Sequence, residues 1–257
     1  MRNVFFCLIF VVIFIAFLSH NQEKNFSPAK RIAHAGGGIS NDTYTNSLEA
    51  LNFNYGKGFR FFEIDFNWTS DGKIVCVHDW DNVFVKYLGF PLPDIPDKQR
   101  FIYLIKNFSK YHMLTLEELV DWLIKHPDAI IVTDVKHKNL KALKIISDVL
   151  GPNVNRVIPQ IYFPNEYQST RKMGYKNIIW TLYRYSRFDS EVINAVEEMD
   201  LFAVTMPLDR VKRWLGKKLK KSGVPSYTHT INSKKEAIRY IQENDITEVY
   251  TDFLTPN

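Results

Sequence analysis

Between residues 31 and 254 the chain returns at intervals to short runs rich in aliphatic, β-branched and aromatic residues. These are RIAHA (31–35), RFFEIDF (60–66), AIIVTDV (129–135), RVIPQIY (156–162), NIIWTLY (177–183), LFAVTMP (201–207), VPSYTHT (224–230) and EVYTDFL (248–254). From residue 156 the runs start 21–24 residues apart, and amphipathic stretches such as EVINAVEEM and KKEAIRYIQEN fill the gaps. Strands alternating with helices at this pitch predict a parallel sheet, and eight of them suit a closed (β/α)8 TIM barrel. KIVCVHDW follows Ser70-Asp71-Gly72, a hairpin signal, so residues 73–79 are predicted to form a hairpin arm over the barrel mouth. Residues 80–113 read as one long irregular stretch, an insertion over the same face. LTLEELVDWLIKHP (114–127) then predicts a helix with Thr115 and Glu118 as a capping box.

The N-terminus has a different pattern. Arg2 precedes 15 apolar residues, Val4 to Leu18, and then polar sequence begins. This is the layout of a secretory signal, and a helix across residues 1–19 would be either an uncleaved signal anchor or a cleaved signal peptide. Phe17 and Leu18 make a poor cleavage site, whereas the run is short for a spanning helix, which needs about 17–25 residues. With Arg2 inside, the remainder is expected to face the periplasm or cell exterior, or to be secreted. Residues 20–30 form a polar linker, and 31–257 the barrel.

Composition adds little to this. Charged residues at 24 % and hydrophobic ones at 46 % are ordinary for a globular chain. The net charge of +5 permits an anionic partner. No zinc-finger spacing, RNA-binding signature or long basic tail appears, which argues against nucleic acid as a partner. Cys7 and Cys76 have no metal-site spacing. DRVKRWLGKKLKK (209–221), with seven basic residues and one acid, predicts an amphipathic helix, either the solvated face of a barrel helix or a lipid contact.

The chemistry lies where alternation puts acids on an inward face. Phe61, Glu63, Asp65 and Asn67 share one side of their strand, and Phe62, Ile64, Phe66 and Trp68 the other. In a barrel the apolar side packs under helices, and inward residues near the C-terminal strand ends point into the mouth. His34, just before Gly36-Gly37-Gly38, meets that description, as do Glu63, Asp65, Asp134 and Lys136.

At these residues the chain resembles the glycerophosphodiester phosphodiesterase family, within the phosphatidylinositol phospholipase C-like superfamily. The resemblance rests on His34 with its glycines, Thr45-Asn46-Ser47 leading into LEAL, Glu63-x-Asp65, DGKIVCVHD ending in His78-Asp79, LTLEEL, Asp134-x-Lys136, WTLY and VYTDF. It implies that Glu63, Asp65 and Asp134 hold one divalent cation, Ca²⁺ or Mg²⁺. It implies that His34 and His78 act as general base and acid on a phosphodiester, and that Lys136 supplies positive charge. Asn46 and Arg184 are further candidates for binding substrate. Three positions depart from the family pattern: Ala35 replaces an arginine, Thr45 stands in the Glu-Asn-Thr segment, and Asp134 replaces a glutamate. Arg184 and His229 are candidate substitutes for the missing arginine. Asp134 is shared with the sphingomyelinase D-like branch, which keeps a lipid or choline-bearing substrate open. The expected activity is hydrolysis of a small-molecule or lipid-derived glycerophosphodiester. A phospholipase acting on intact lipid and a catalytically weak binder of anionic headgroups or glycans are the alternatives.

Overall fold

A computed structural model describes residues 27–28 and 30–256. The apolar N-terminal run lies outside these residues, and so does most of the linker. Among the described residues no helix is long and apolar enough to cross a membrane.

Eight parallel strands close into a barrel: β1 (Ile32–Ala33), β2 (Phe61–Trp68), β4 (Ile130–Val135), β5 (Val157–Ile161), β6 (Ile179–Thr181), β7 (Ala203–Met206), β8 (Ser226–Thr228) and β9 (Glu248–Thr251). β1 pairs with both β2 and β9, which completes the ring. Each coincides with a run visible in the sequence, β2 extending two residues beyond its run to Trp68. β3 (Ile74–Val75) returns antiparallel along the end of β2 and forms the expected hairpin arm.

Alternation sorts the side chains into two cores. Phe62, Ile64, Phe66, Ile131, Val135, Trp180 and Val204 face outward and pack beneath the helices. Ile32, Phe61, Ile130, Ile158, Ile179, Ala203, Tyr227 and Tyr250 fill the barrel interior. Two residues further along these strands come His34, Glu63, Val132, Gln160, Thr181, Thr205, His229 and Asp252. With Asp65 and Asp134 one step higher, an apolar floor thus carries a largely polar layer at the mouth.

The glycine-rich loop after β1 is held from below by helix α1 (Leu48–Gly56), which Ser47 caps by accepting from the Ala50 amide. The buried Asn54 amide of α1 donates to the carbonyls of Gly36 at 3.0 Å and Gly38 at 3.2 Å. Gly37 has φ 87°, and a Cβ there would sit 2.4 Å from the Asn54 amide nitrogen. Only glycine supplies both the left-handed backbone and the close approach.

Residues 80–113 are not irregular. They hold helix α2 (Val83–Leu88) and helix α3 (Lys98–Phe108), separated by the proline-rich turn. The helical spacing of Phe84, Tyr87 and Leu88, and of Phe101, Leu104 and Ile105, builds a third core with Trp80, Tyr111 and Met113. Asp42 of the glycine loop clamps this insertion, accepting from Lys86 at 2.9 Å, Lys110 at 2.7 Å and Tyr111 at 2.9 Å. Helix α4 (Leu116–Lys125) follows with the predicted Thr115–Glu118 capping box.

The remaining helices α5 (Asn139–Leu150), α6 (Tyr167–Lys172) and α7 (Asp189–Val196) wrap the barrel. Residues 209–221 do not form one helix: α8 (Leu208–Lys212) and α9 (Leu215–Lys221) are broken by Trp214 at φ 66°. The break lets Val211, Leu215 and Leu219 all reach the core. Helix α10 (Lys234–Asn244) precedes the last strand.

Replacing Asn54 by alanine strips two buried carbonyls of their donor. The expected cost is about 2 kcal/mol of stability in urea unfolding, because a buried acceptor left unpaired costs about 1–3 kcal/mol. An unchanged midpoint would contradict this role.

Candidate active site

Four strand ends and one loop bring the chemistry together. Glu63 and Asp65 project inward from β2 and Asp134 from β4, and one oxygen of each lies within 4.8 Å of the others. The two strands are in register with Asp65 beside Asp134, which makes the acidic cluster a direct product of sheet pairing. Lys136 lies between these two acids, with Nζ 2.5 Å from Asp65 Oδ1 and 2.7 Å from Asp134 Oδ2.

Each carboxylate has its own support. Asn46 pairs twice with Asp65: its amide donates to Oδ2 at 2.8 Å, and its carbonyl oxygen accepts from the Asp65 backbone at 2.9 Å. The Tyr162 hydroxyl donates to Asp134. Glu63 Oε2 accepts from the Ala35 backbone at 2.8 Å, while Glu63 Oε1 is buried with no partner. Burial, with Asp65 next in weight, pushes the Glu63 carboxyl up to about 8. Burial also works against the Asp134 charge, but Lys136 and Tyr162 outweigh it and hold its pKa below the usual carboxylate range. For Lys136 burial disfavours the ammonium, yet Asp65, Asp134 and Glu63 raise its pKa above the ordinary lysine value.

This donor set fits a hard cation. It consists of three carboxylates, and the unpartnered Glu63 Oε1 leaves an acceptor to spare. The residues that would hold the ion are those read from the sequence.

Both histidines are backed by an acid. His34 is buried, with Nδ1 2.9 Å from Asp252 Oδ1. Asn232 fixes Asp252 in turn, donating to Oδ2 at 2.8 Å and accepting from the Asp252 backbone at 2.8 Å. Burial alone would lower the pKa of His34, but the Asp252 hydrogen bond and the nearby charges of Glu63, Asp252 and Asp65 lift it to about 9. His78, beyond β3, has Nδ1 2.7 Å from Asp79 Oδ2 and is more open. Asp79 is locked by the amides of Asn82 at 2.6 Å and Val83 at 3.0 Å. Between the two imidazoles stands Tyr44, its ring centroid 4.7 Å from each.

The position of the missing arginine is now defined. The Ala35 methyl is fully buried at φ 50°, so its contribution is the backbone N–H held by Glu63. Arg184 lies over the Tyr162 ring at 3.8 Å and donates to the carbonyls of Val135 at 3.2 Å and Lys136 at 3.0 Å. His229 stands inside the mouth, 6.0 Å from His34 between ring centroids, with Nδ1 paired to the Tyr183 hydroxyl. Burial, then the neighbouring His34, pushes the His229 imidazole down to about 3, so it is neutral.

The candidates read from the sequence therefore gather at one mouth. Tyr44, Tyr162, Tyr183, Asn232 and Asp252 were missed. Asp252 and Tyr162 had a signal, since each is two residues beyond an inward-facing strand residue, Tyr250 and Gln160; Tyr44 had none, because loop geometry delivers it.

The C-terminal rim of a parallel barrel here gathers an acidic cluster that could hold a cation and two carboxylate-backed histidines, and the family match assigns it to the hydrolases of phosphoric diesters. Over residues 34–255 the chain matches the glycerophosphoryl diester phosphodiesterase family, and it belongs to that family. Solved structures show the same fold. A glycerophosphodiester phosphodiesterase from Thermotoga maritima superposes with a TM-score of 0.68 at 20 % identity, covering 86 % of this chain and 93 % of that one. A Galdieria sulphuraria protein, itself a putative member, gives 0.67 at 12 %, covering 86 % and 93 %. An Oleispira antarctica phosphodiesterase in complex with its product sn-glycerol-3-phosphate gives 0.63 at 14 %, covering 86 % and 92 %.

Asp252→Asn is expected to bring the His34 pKa down from about 9 towards 6.5 in metal-free protein, followed by NMR titration of the imidazole. Because the folded pKa is raised, the pairing stabilises the fold fully below about pH 6.5. That contribution fades as pH rises through about 9. A His34 titration identical to wild type would sink the pairing.

Proposed function

We propose that the chain hydrolyses glycerophosphodiesters, freeing the esterifying alcohol, with His34 and His78 as the proton-transfer pair and Glu63, Asp65 and Asp134 as ligands of one Ca²⁺ or Mg²⁺. The observation that carries this reading is the placement of both carboxylate-backed imidazoles beside an acidic cluster, with Tyr44 between them. A bound divalent cation supplies charge that offsets the negative charge developing on the phosphoryl oxygens.

Every other step belongs to the chain. Lys136 provides fixed positive charge beside the cluster and helps hold the Asp134 carboxyl below the usual carboxylate range. One imidazole takes the proton of the attacking hydroxyl, which comes from water or from a neighbouring hydroxyl of the substrate. The other gives a proton to the departing alcohol oxygen as the P–O bond breaks. In the second route a cyclic phosphate forms and is then opened by water. Asp252 and Asp79 hold the rings, and Asp252 favours the imidazolium that His34 becomes when it accepts the proton. Asn46 serves this site by fixing Asp65, and Arg184 by capping the loop after β4. The product bound in the Oleispira antarctica structure supports a small glycerophosphate-bearing substrate. The apolar run Val4–Leu18 supports a membrane-tethered or exported enzyme facing outward.

The test assays the purified full-length chain on glycerophosphocholine, glycerophosphoethanolamine and glycerophosphoglycerol with Ca²⁺, Mg²⁺ or EDTA. Turnover is expected to vanish with EDTA and to fall about 10²–10⁴-fold in His78→Ala, the usual worth of a positioned proton donor. Glu63→Ala should abolish both turnover and metal-dependent thermal stabilisation. Turnover that survives the chelator and both substitutions would overturn the mechanism.

A further inference from the structure

Tyr44 stands between the two imidazoles but belongs neither to the proton-transfer pair nor to the acidic cluster. Its ring centroid is 4.7 Å from those of His34 and His78, edge to face with each. A phosphoryl group that trades protons with both imidazoles has to span the gap between them, and it therefore lies against this ring. The phenol is half-buried, and its hydroxyl has no hydrogen-bond partner among the described residues. The charges of Asp252, Asp65, Glu63 and Lys136 all act on it, so the polar end of the side chain reaches toward the cluster.

The loop keeps the residue there against its backbone preference. Tyr44 has φ 60°, and Ser40, Asn41 and Asn46 of the same loop are left-handed too. The contacts that hold it come from both sides. Asp42 is clamped by Lys86, Lys110 and Tyr111 of the insertion, and the Thr43 carbonyl accepts from the Tyr87 hydroxyl at 2.6 Å. After Tyr44, the Asn46 amide is locked to Asp65 and donates to the Tyr44 carbonyl at 3.3 Å. The insertion and β2 thus grip the loop on either side of one aromatic ring.

Phosphoryl oxygens need donors, and the other groups at the mouth are engaged. Lys136 spends two of its three N–H groups on Asp65 and Asp134. The Ala35 N–H is held by Glu63, and the Ala35 side chain brings no donor. Arg184 is drawn onto the Val135 and Lys136 carbonyls, and His229 is buried with Nδ1 on the Tyr183 hydroxyl. A phenol keeps its proton at neutral pH, and burial here pushes its pKa higher still. We infer that the Tyr44 hydroxyl donates a hydrogen bond to a non-bridging phosphoryl oxygen of the substrate. Being neutral, it adds no charge to repel a cation on the neighbouring acids. This contact rests on the phosphodiester reading for its ligand, so the test reads binding rather than turnover.

Calorimetry on the full-length chain with Ca²⁺ or Mg²⁺ measures the affinity for two probes, sn-glycerol-3-phosphate and methyl phosphate. Tyr44→Phe keeps the ring between the imidazoles and removes the donor. It is expected to weaken both probes by the same factor, about ten- to a hundredfold, the worth of one hydrogen bond to a charged group. Tyr44→Ala should weaken them no less. Metal-dependent thermal stabilisation is expected to be unchanged in Tyr44→Phe, since the acids still gather.

Tyr44→Phe binding as tightly as wild type overturns the inference and makes the residue a spacer between the histidines. A loss confined to sn-glycerol-3-phosphate overturns it in favour of a contact to the glycerol hydroxyls. Loss of the metal-dependent stabilisation makes Tyr44 a support of the acids and overturns it as well, as does a wild-type chain that binds neither probe. Turnover is a separate result. A wild type that binds both probes, with affinity lost in Tyr44→Phe, but cleaves none of the three glycerophosphodiesters sinks the hydrolase assignment alone.

Discussion

Three carboxylates at one end of a barrel repel one another, and the Lys136 ammonium is the counter-charge around which the rest of the mouth is arranged. It lies 2.5 Å from Asp65 and 2.7 Å from Asp134 in a site largely closed to solvent, where the attraction is weakly screened. The arrangement leaves Glu63 out. Burial and the neighbouring Asp65 push that carboxyl up to about 8, and its Oε1 has no partner. Strand pairing fixes the geometry, since a shift of one residue between β2 and β4 would turn Asp65 or Asp134 out of the mouth.

The two histidines answer to this charge differently. His34 is buried beside the acids and takes its high pKa from them and from Asp252. His78 stands on the hairpin arm, away from the barrel floor, with Asp79 as its own partner. One ring is thus held by the last strand and the other by an appended arm, and Tyr44 joins them across the gap.

How much of this was legible depended on whether an element obeys a period. The eight strands alternate or run apolar between amphipathic helices, so their places could be read directly. The acids on β2 and β4 were legible because alternation sets them opposite an apolar face, Phe62, Ile64 and Phe66 on β2 and Ile131 and Val135 on β4. The insertion was misread because PLPDIP suggested a loop throughout, although Phe84-x-x-Tyr87-Leu88 and Phe101-x-x-Leu104-Ile105 have helical spacing. The basic stretch 209–221 was drawn as one helix because composition does not reveal a left-handed residue at Trp214. Tyr44 reaches the site through a loop path that no local pattern encodes, whereas Tyr162 continues the inward phase of Ile158 and Gln160 just past β5.

The insertion has its own apolar core, built from Val77, Phe84, Leu104 and their neighbours, and joins the glycine loop through Asp42 and through Ile39, which packs against that core. Its packing and the barrel's packing are therefore separable problems. Substitutions that reshape the insertion can accumulate without disturbing the strands that align the acids. Over evolutionary time such an arrangement lets selection remodel the insertion while the strand register that gathers Glu63, Asp65 and Asp134 is inherited unchanged.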